Sequence, residues 1–223
     1  MALFYNSNSN LKAAGVTVQF TQDQVQEYLK CKDDPVYFIA NYCKIVTLDG
    51  GLKKFDLYPC QVNKVKVIHT NRKVILMEGR QQGKTTTSAA YILWYTLFQA
   101  NKNVAILANK ATAAREVLDR YQTMYEALPK WMQQGVTTWN KGDIELENGS
   151  KVFTAATGKS GIRGKSVNML YVDEAAIIPN NVAEEFFTAV YPTISAGQTT
   201  KILLSSTPLG YNHFWRFWND AEN

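Results

Sequence analysis

The chain has 223 residues, with 24 Lys and Arg against 19 Asp and Glu, for a formal charge of +5. At about 150 residues per domain this is one large domain with an appendage, large enough to bury a core without staples. A hydrophobic share of 46% and a charged share of 19% exclude a disordered chain, and a pI near 9.0 is compatible with a nucleic-acid partner.

Residues 1 to about 20 are rich in Asn and Ser (Asn6 to Asn10) and read as a loose arm. They show no basic segment followed by an apolar one, so no signal peptide is expected. Thr21, with Val25, Tyr28 and Leu29 behind it, predicts a capped amphipathic helix; Asp33-Asp34-Pro35 stops it and starts another over Val36 to Tyr42. Asp49-Gly50-Gly51 predicts a turn. Cys31, Cys43 and Cys60 are widely spaced, and the histidines are His69 and His213, which argues against a zinc site or a disulfide framework and suits a reducing compartment. Lys53-Lys54 and Lys64 to Lys66 equally suit a DNA contact or a solvated face.

From Arg72 onward short apolar runs alternate with helical patterns. Strands are predicted over Val74 to Met77, Val104 to Ala108, Met169 to Val172 and Lys201 to Ser205. Helices are predicted over Thr85 to Phe98, Ala111 to Ala127, Pro179 to Tyr191 and Asn212 to Ala221. The longest apolar run, Ala89 to Phe98, falls short of the roughly 20 residues of a membrane span. Asp143 to Leu146 and Lys151 to Thr154 flank Asn148-Gly149 and predict a hairpin with a type I′ turn. Strands alternating with helices imply a mainly parallel sheet covered on both faces. Trp215 and Trp218 read as core aromatics or as a surface packed against a further domain.

The strand ending at Met77 runs into Glu78-Gly79-Arg80-Gln81-Gln82-Gly83-Lys84-Thr85. Strand, glycine-containing loop and Gly-Lys-Thr opening a helix are the parts of a phosphate loop. Gly83 lets backbone N–H groups approach phosphates, and the helix start adds a positive dipole end. Lys84 would reach the β- and γ-phosphates, and Thr85 would hold Mg²⁺. Glu78 stands where the common pattern has its first glycine. Gly158-Lys159-Ser160 and Gly164-Lys165-Ser166 repeat the tripeptide but open no clean helix. Asp173 and Glu174 end an apolar strand, as do the Mg²⁺-binding acid and the general base of ATP hydrolases. A Glu directly after the Asp, and the absence of a guanine-reading NKxD, favour an ATPase over a small GTPase.

Together these residues resemble the ATPase domain of the large terminase subunit of tailed bacteriophages, especially the T4-like kind. Cys31 to Phe38 resembles its N-terminal helical region, and Leu57-Tyr58-Pro59-Cys60-Gln61 its Q motif. Gly79 to Thr85 resembles its variant Walker A, whose small residue followed by Arg accounts for the missing first glycine. Trp139 to Leu146 with Asn148-Gly149-Ser150 is similar to a stretch typical of the subfamily. Asp173-Glu174 matches Walker B, and Ser205-Ser206-Thr207-Pro208 the coupling motif. The resemblance implies an α/β P-loop NTPase of RecA/ASCE type, with a mainly parallel sheet between helices. Residues 1–56 would form an arm and helical region, and 57–223 the ATPase core.

The resemblance also implies an ATP- and Mg²⁺-dependent motor that drives double-stranded DNA into a procapsid. Gln61 would read adenine, and Gly79, Arg80, Gln81, Gln82, Gly83, Lys84, Thr85 and Thr86 would hold the nucleotide. Thr85 and Asp173 would bind the metal, Glu174 would act on water, and Ser205, Ser206 and Thr207 would couple hydrolysis to movement. Arg80 would act in cis on the γ-phosphate, where such an arginine is worth about 10³–10⁵ in rate, unless it forms a surface ion pair. Arg163, between Gly161-Ile162 and Gly164, would act in trans on a neighbour's nucleotide or touch a DNA phosphate. The implied partners are viral DNA, a portal protein, a small terminase subunit and further copies in a ring, expected to be a pentamer, in the host cytoplasm and without a membrane. Large terminases continue into a nuclease, so this chain is expected to be the ATPase half, without nuclease activity. A superfamily-2-type helicase fragment and a nucleotide-gated assembly module are the other readings.

Overall fold

The computed structural model describes residues 3–47, 49–157, 162, 165–195 and 197–222, the side chains of 190–195 and 222 excepted. Helix α1 (Gln22–Asp33) opens with a reciprocal capping box, Thr21 Oγ1 accepting from Gln24 N–H and Gln24 Oε1 accepting from Thr21 N–H. Asp34 ends α1 and caps α2 (Pro35–Tyr42), its Oδ1 accepting from Val36 and Tyr37 N–H. Strands β1 (Lys44–Thr47) and β2 (Gly51–Lys54) pair antiparallel around the predicted turn. Their residues follow no apolar alternation that would announce a strand.

Helix α3 (Pro59–Thr70) leads to β3 (Lys73–Met77), α4 (Lys84–Phe98), β4 (Asn103–Ala108) and α5 (Ala111–Glu126). Then come β5 (Val136–Trp139), β6 (Asp143–Leu146), β7 (Lys151–Ala156), β8 (Met169–Val172), α6 (Asn180–Ser195), β9 (Lys201–Ser206) and α7 (His213–Glu222). The main sheet has seven strands in the order β3-β9-β8-β4-β7-β6-β5. Its first five are mutually parallel, and β6 and β5 extend it antiparallel. Among the described residues no helix is long and apolar enough to cross a membrane.

Strand alternation divides the core in two. Val104, Ile106, Met169, Tyr171 and Leu203 join the cluster packed on α1 to α5. Ala105, Leu107, Leu170, Val172, Ile202 and Leu204 join the opposite cluster, with Phe186 of α6 and Phe214 of α7. Helix α4 lies buried between the sheet and its neighbouring helices, which accounts for its apolar stretch.

Three expectations change. The arm is not loose: Val136 N–H donates to Lys12 O (2.8 Å), Lys12 N–H donates to Gln133 Oε1 (3.0 Å), and Leu11 is buried. It satisfies backbone groups of edge strand β5, a partner that its polar composition does not reveal. The β6–β7 hairpin forms, but its turn is not type I′. Only Gly149 has positive φ (80°), and Leu146 N–H reaches Ser150 O, so a three-residue loop closes on a left-handed glycine. Asn148 is held out of that region by its own amide, which donates to Thr96 O (2.9 Å) and accepts from Ser150 N–H (3.0 Å). Trp215 is 41% exposed, edge-on to Tyr211, rather than in the core.

All three cysteines are free. Cys31 and Cys43 are buried, and burial pushes the Cys31 thiol up to about 12 and raises that of Cys43 as well, whereas Cys60 is exposed. Titrating the native protein with an aromatic disulfide should therefore count one fast thiol, and three after denaturation. A second fast thiol would contradict the packing of α1 and α2.

Candidate functional site

The carboxyl ends of β3, β9, β8, β4 and β7 meet at one edge of the sheet, where α/β folds bind ligands. Glu78 to Gly83 connect β3 to α4 there. Gly83 is left-handed (φ 75°, ψ 20°) and precedes the first residue of α4, and a Cβ on it would lie 2.5 Å from Gln61 Nε2. The left-handed conformation favours glycine, and a Cβ would also displace the Gln61 amide from the loop. Gln61 is buried in the first turn of α3, where one end of its amide braces the loop and the other caps its own helix. Its Nε2 donates to Gln82 O (3.1 Å), and its Oε1 accepts from Tyr58 N–H (3.0 Å).

Lys64 does not lie on a solvated face. It is 5% exposed, and its Nζ is 2.6 Å from Glu78 Oε2. The acid in place of the first glycine therefore ties the loop's start to α3. Lys66, two residues on, is exposed as expected.

Face parity places the two acids. Tyr171 belongs to the side of the sheet that carries α4, and Asp173, two residues on, continues it. Thr85 Oγ1 donates to Asp173 Oδ2 (3.1 Å), while Asp173 Oδ1 accepts from Tyr171 OH (2.8 Å) and Ser205 Oγ (3.0 Å). Burial, then the Asp173 charge, pushes the Tyr171 phenol well above its ordinary range, so it remains a neutral donor. Glu174 begins the turn after β8 in a left-handed conformation (φ 50°, ψ 45°), which costs about 1–2 kcal/mol for a residue with a Cβ. Its Oε1 is 2.6 Å from Nζ of Lys84, itself 7% exposed, and its Oε2 lies 3.4 Å from Ser206 Oγ and 3.5 Å from both Thr207 N and Oγ1.

The three candidate coupling residues thus divide between two tasks. Ser205 holds Asp173, whereas Ser206 and Thr207 face Glu174.

Arg80, Gln81 and Gln82 are exposed on the loop. Among the described residues no ion pair holds Arg80, so the surface pair weighed for it does not form. Gly79 is also exposed, and a Cβ there would meet only the Gln82 side chain, at 3.4 Å. Thr86 faces a separate cleft with Lys44, Glu116 and Arg120. Arg163 and Gly158-Lys159-Ser160 lie outside the described residues.

Sequence reading weighed Lys64 only as a DNA contact or a solvated residue, and gave Tyr171 and Asn212 no part in the site. Tyr171 had a signal, since a strand places residue i−2 on the face of the acid it precedes. Among the described residues no cluster of three or more His, Cys, Asp or Glu could hold a metal. A hydroxyl beside one fixed carboxylate instead suits Mg²⁺, which keeps waters and takes phosphate oxygens as ligands.

Because β9 runs between the strand of the lysine loop and the strand of Asp173 and Glu174, this is an α/β P-loop NTPase of RecA/ASCE type. Residues 75–222 match the family described as "Terminase large subunit, T4likevirus-type, N-terminal", and the chain belongs to that family. Solved structures of similar fold include the HK97 bacteriophage large terminase, with TM-score 0.71 and 18% identity, covering 85% of this chain and 40% of that one. The Thermus phage P74-26 large terminase ATPase domain matches with TM-score 0.55 and 22% identity, over 73% of this chain and 69% of that one. A large terminase from a thermophilic bacteriophage matches with TM-score 0.59 and 15% identity, over 74% of this chain and 43% of that one. The chain therefore spans under half the length of the first and third of these relatives.

Proposed function

We propose that this domain hydrolyses Mg²⁺·ATP as the motor that drives double-stranded viral DNA into a procapsid. The observation that carries this reading is the meeting of Lys84 and Thr85, at the start of α4, with Glu174 and Asp173 (2.6 and 3.1 Å). The thermophilic bacteriophage's large terminase, similar in fold, has been solved with ADP and with ATP-γ-S, which supports a nucleotide ligand for this domain.

Gly79 to Thr85 would hold the phosphates, with Lys84 on the β- and γ-phosphates and Thr86, whose side chain faces the separate cleft, contributing at most its backbone N–H. Gln61 would recognise the adenine edge by giving up either its bond to Gln82 O or its bond to Tyr58 N–H. Mg²⁺, held by Thr85 and by Asp173 through water, would neutralise the charge that builds on the phosphates. Glu174 would orient water for in-line attack and take its proton, and Ser206 and Thr207 would report that change to β9. Arg80 would neutralise charge in cis, or Arg163 in trans from a neighbouring copy. The partners of this reading are viral DNA, a portal protein, a small terminase subunit and further copies in a ring of about five, in the host cytoplasm.

Phosphate release, measured over a range of protein concentrations with and without double-stranded DNA, tests the proposal. Mg²⁺-dependent ATP hydrolysis is expected. A rate per subunit that is flat with concentration assigns the trigger to Arg80, and a steep rise assigns it to a neighbour's arginine. No binding or hydrolysis of ATP under any of these conditions would overturn the reading, and strand separation on a forked duplex would favour a helicase.

A further inference from the structure

The turn that carries Glu174 is gripped from two sides. Residues Ala175–Ile177 form one 3-10 turn. From β9, Ser206 Oγ accepts from Ala176 N–H (3.0 Å) and donates toward Glu174 Oε2 (3.4 Å). From α7, two consecutive residues reach the same turn. His213 Nε2 lies 2.8 Å from Ala175 O, a carbonyl that only accepts. Asn212, just before α7, uses both ends of its amide. Its Oδ1 accepts from Phe214 N–H (3.0 Å) and Trp215 N–H (3.2 Å) and so caps the helix, while its Nδ2 donates to Ala176 O (2.9 Å).

These bonds surround a residue in an unfavourable backbone state. A glutamate at φ 50° persists only where the neighbouring structure over-determines it. The conformation aims the Glu174 carboxylate between Lys84 and Thr207 rather than along the strand. Among the described residues, the amide of Asn212 and the imidazole of His213 are the side chains that bond the helix start to the turn's carbonyls, and Phe214 packs in one cluster with Ala175 and Ala176 beside them.

We propose that Asn212 is a positioning residue for Glu174: its amide ties the start of α7 to Ala176 and so holds the turn in which Glu174 faces the phosphate loop. The proposal rests on the reading of Glu174 as the group that acts on water. It also makes α7 the element that would feel a displacement of that turn.

The two ends of the Asn212 amide are separable. Asn212→Asp and Asn212→Ser both keep an oxygen that caps α7, but the aspartate carboxylate has no proton to donate to Ala176 O, and the serine hydroxyl ends one bond short of the place the Nδ2 donor occupies. In steady-state Mg²⁺·ATP hydrolysis, kcat is expected to fall roughly three- to tenfold in both, the scale of one lost neutral hydrogen bond. KM for ATP and the thermal midpoint should stay close to the unsubstituted protein, whereas Asn212→Ala should lower the midpoint because the cap is lost as well. Adding Asn212→Ser to Glu174→Gln should cost nothing further, since Asn212 acts through Glu174.

Unchanged kcat in both capped variants, with turnover lost in Glu174→Gln, would overturn the positioning role and leave Glu174 its own. A kcat loss matched by a fall in midpoint as large as that of Asn212→Ala, or a full additional loss in the double variant, would reduce Asn212 to a structural cap. Full turnover in Glu174→Gln would instead remove the reading on which the proposal rests.

Discussion

Glu174→Gln is expected to bind Mg²⁺·ATP at least as tightly as the unsubstituted protein and to hydrolyse it about 10²–10⁴-fold more slowly, the usual weight of general acid–base catalysis. Glutamine fills the same volume and keeps an oxygen toward Lys84, but it cannot take a proton from water. Lys84 is nearly buried and has Glu174 at 2.6 Å, so the exchange leaves an ammonium group without its counter-charge. Triphosphate would supply that charge, which is why affinity should hold or rise. Equilibrium binding of a fluorescent ATP analogue, together with phosphate release, checks both halves. Full turnover would remove Glu174 from the chemistry.

Lys84→Ala should fail differently, losing binding and turnover together. The lost interaction is charge-assisted, which corresponds to roughly 10- to 100-fold in affinity. The effect should exceed simple deletion, because Glu174 would remain beside the incoming phosphates with nothing to neutralise it. Its side chain is about one-third exposed, so the fold should tolerate the unpaired acid. Circular dichroism and a thermal melt near those of the unsubstituted protein, with binding lost, form the expected pair of results. Binding at the original affinity would mean that the phosphates do not lie at the start of α4.

The two variants separate positions that stand 90 residues apart yet share one ion pair. That pairing is a property of the folded sheet. Lys84 follows β3 and Glu174 follows β8, and β9 lies between those strands. The crossing is bridged by the hydroxyls of β9: Ser205 takes the acid on the α4 side, and Ser206 takes the acid in the turn.

The chemical core of the site was legible in the residues because its determinants are local. A strand, six loop residues and a helix start set the backbone around Gly83, and an apolar run set the strand before Asp173 and Glu174. The same holds for the box at Thr21 and the cap at Asp34, which involve neighbours two or three residues away. Less local features escaped. Asn148-Gly149 marks a hairpin, but which turn forms depends on the amide of Asn148 reaching Thr96, 52 residues away. Short β1 and β2 carry no apolar alternation to read. The arm looked unstructured because its own residues hold few apolar groups, while its partners are backbone atoms of β5.

Sequence by itself determined the class of chemistry: a phosphate loop ending in Lys84 and Thr85, two acids at the end of a strand, and a covered parallel sheet. Each follows from the spacing of residues along a few turns of chain. Only the tertiary structure decided that Lys64 is buried against Glu78, that Ser205 and Ser206 serve different acids, and that Asn212 reaches Ala176 across 36 residues. The reason is physical. A side chain's face on a strand follows from alternation, but the group it meets there depends on strand order and register, which the long-range packing of the whole core sets.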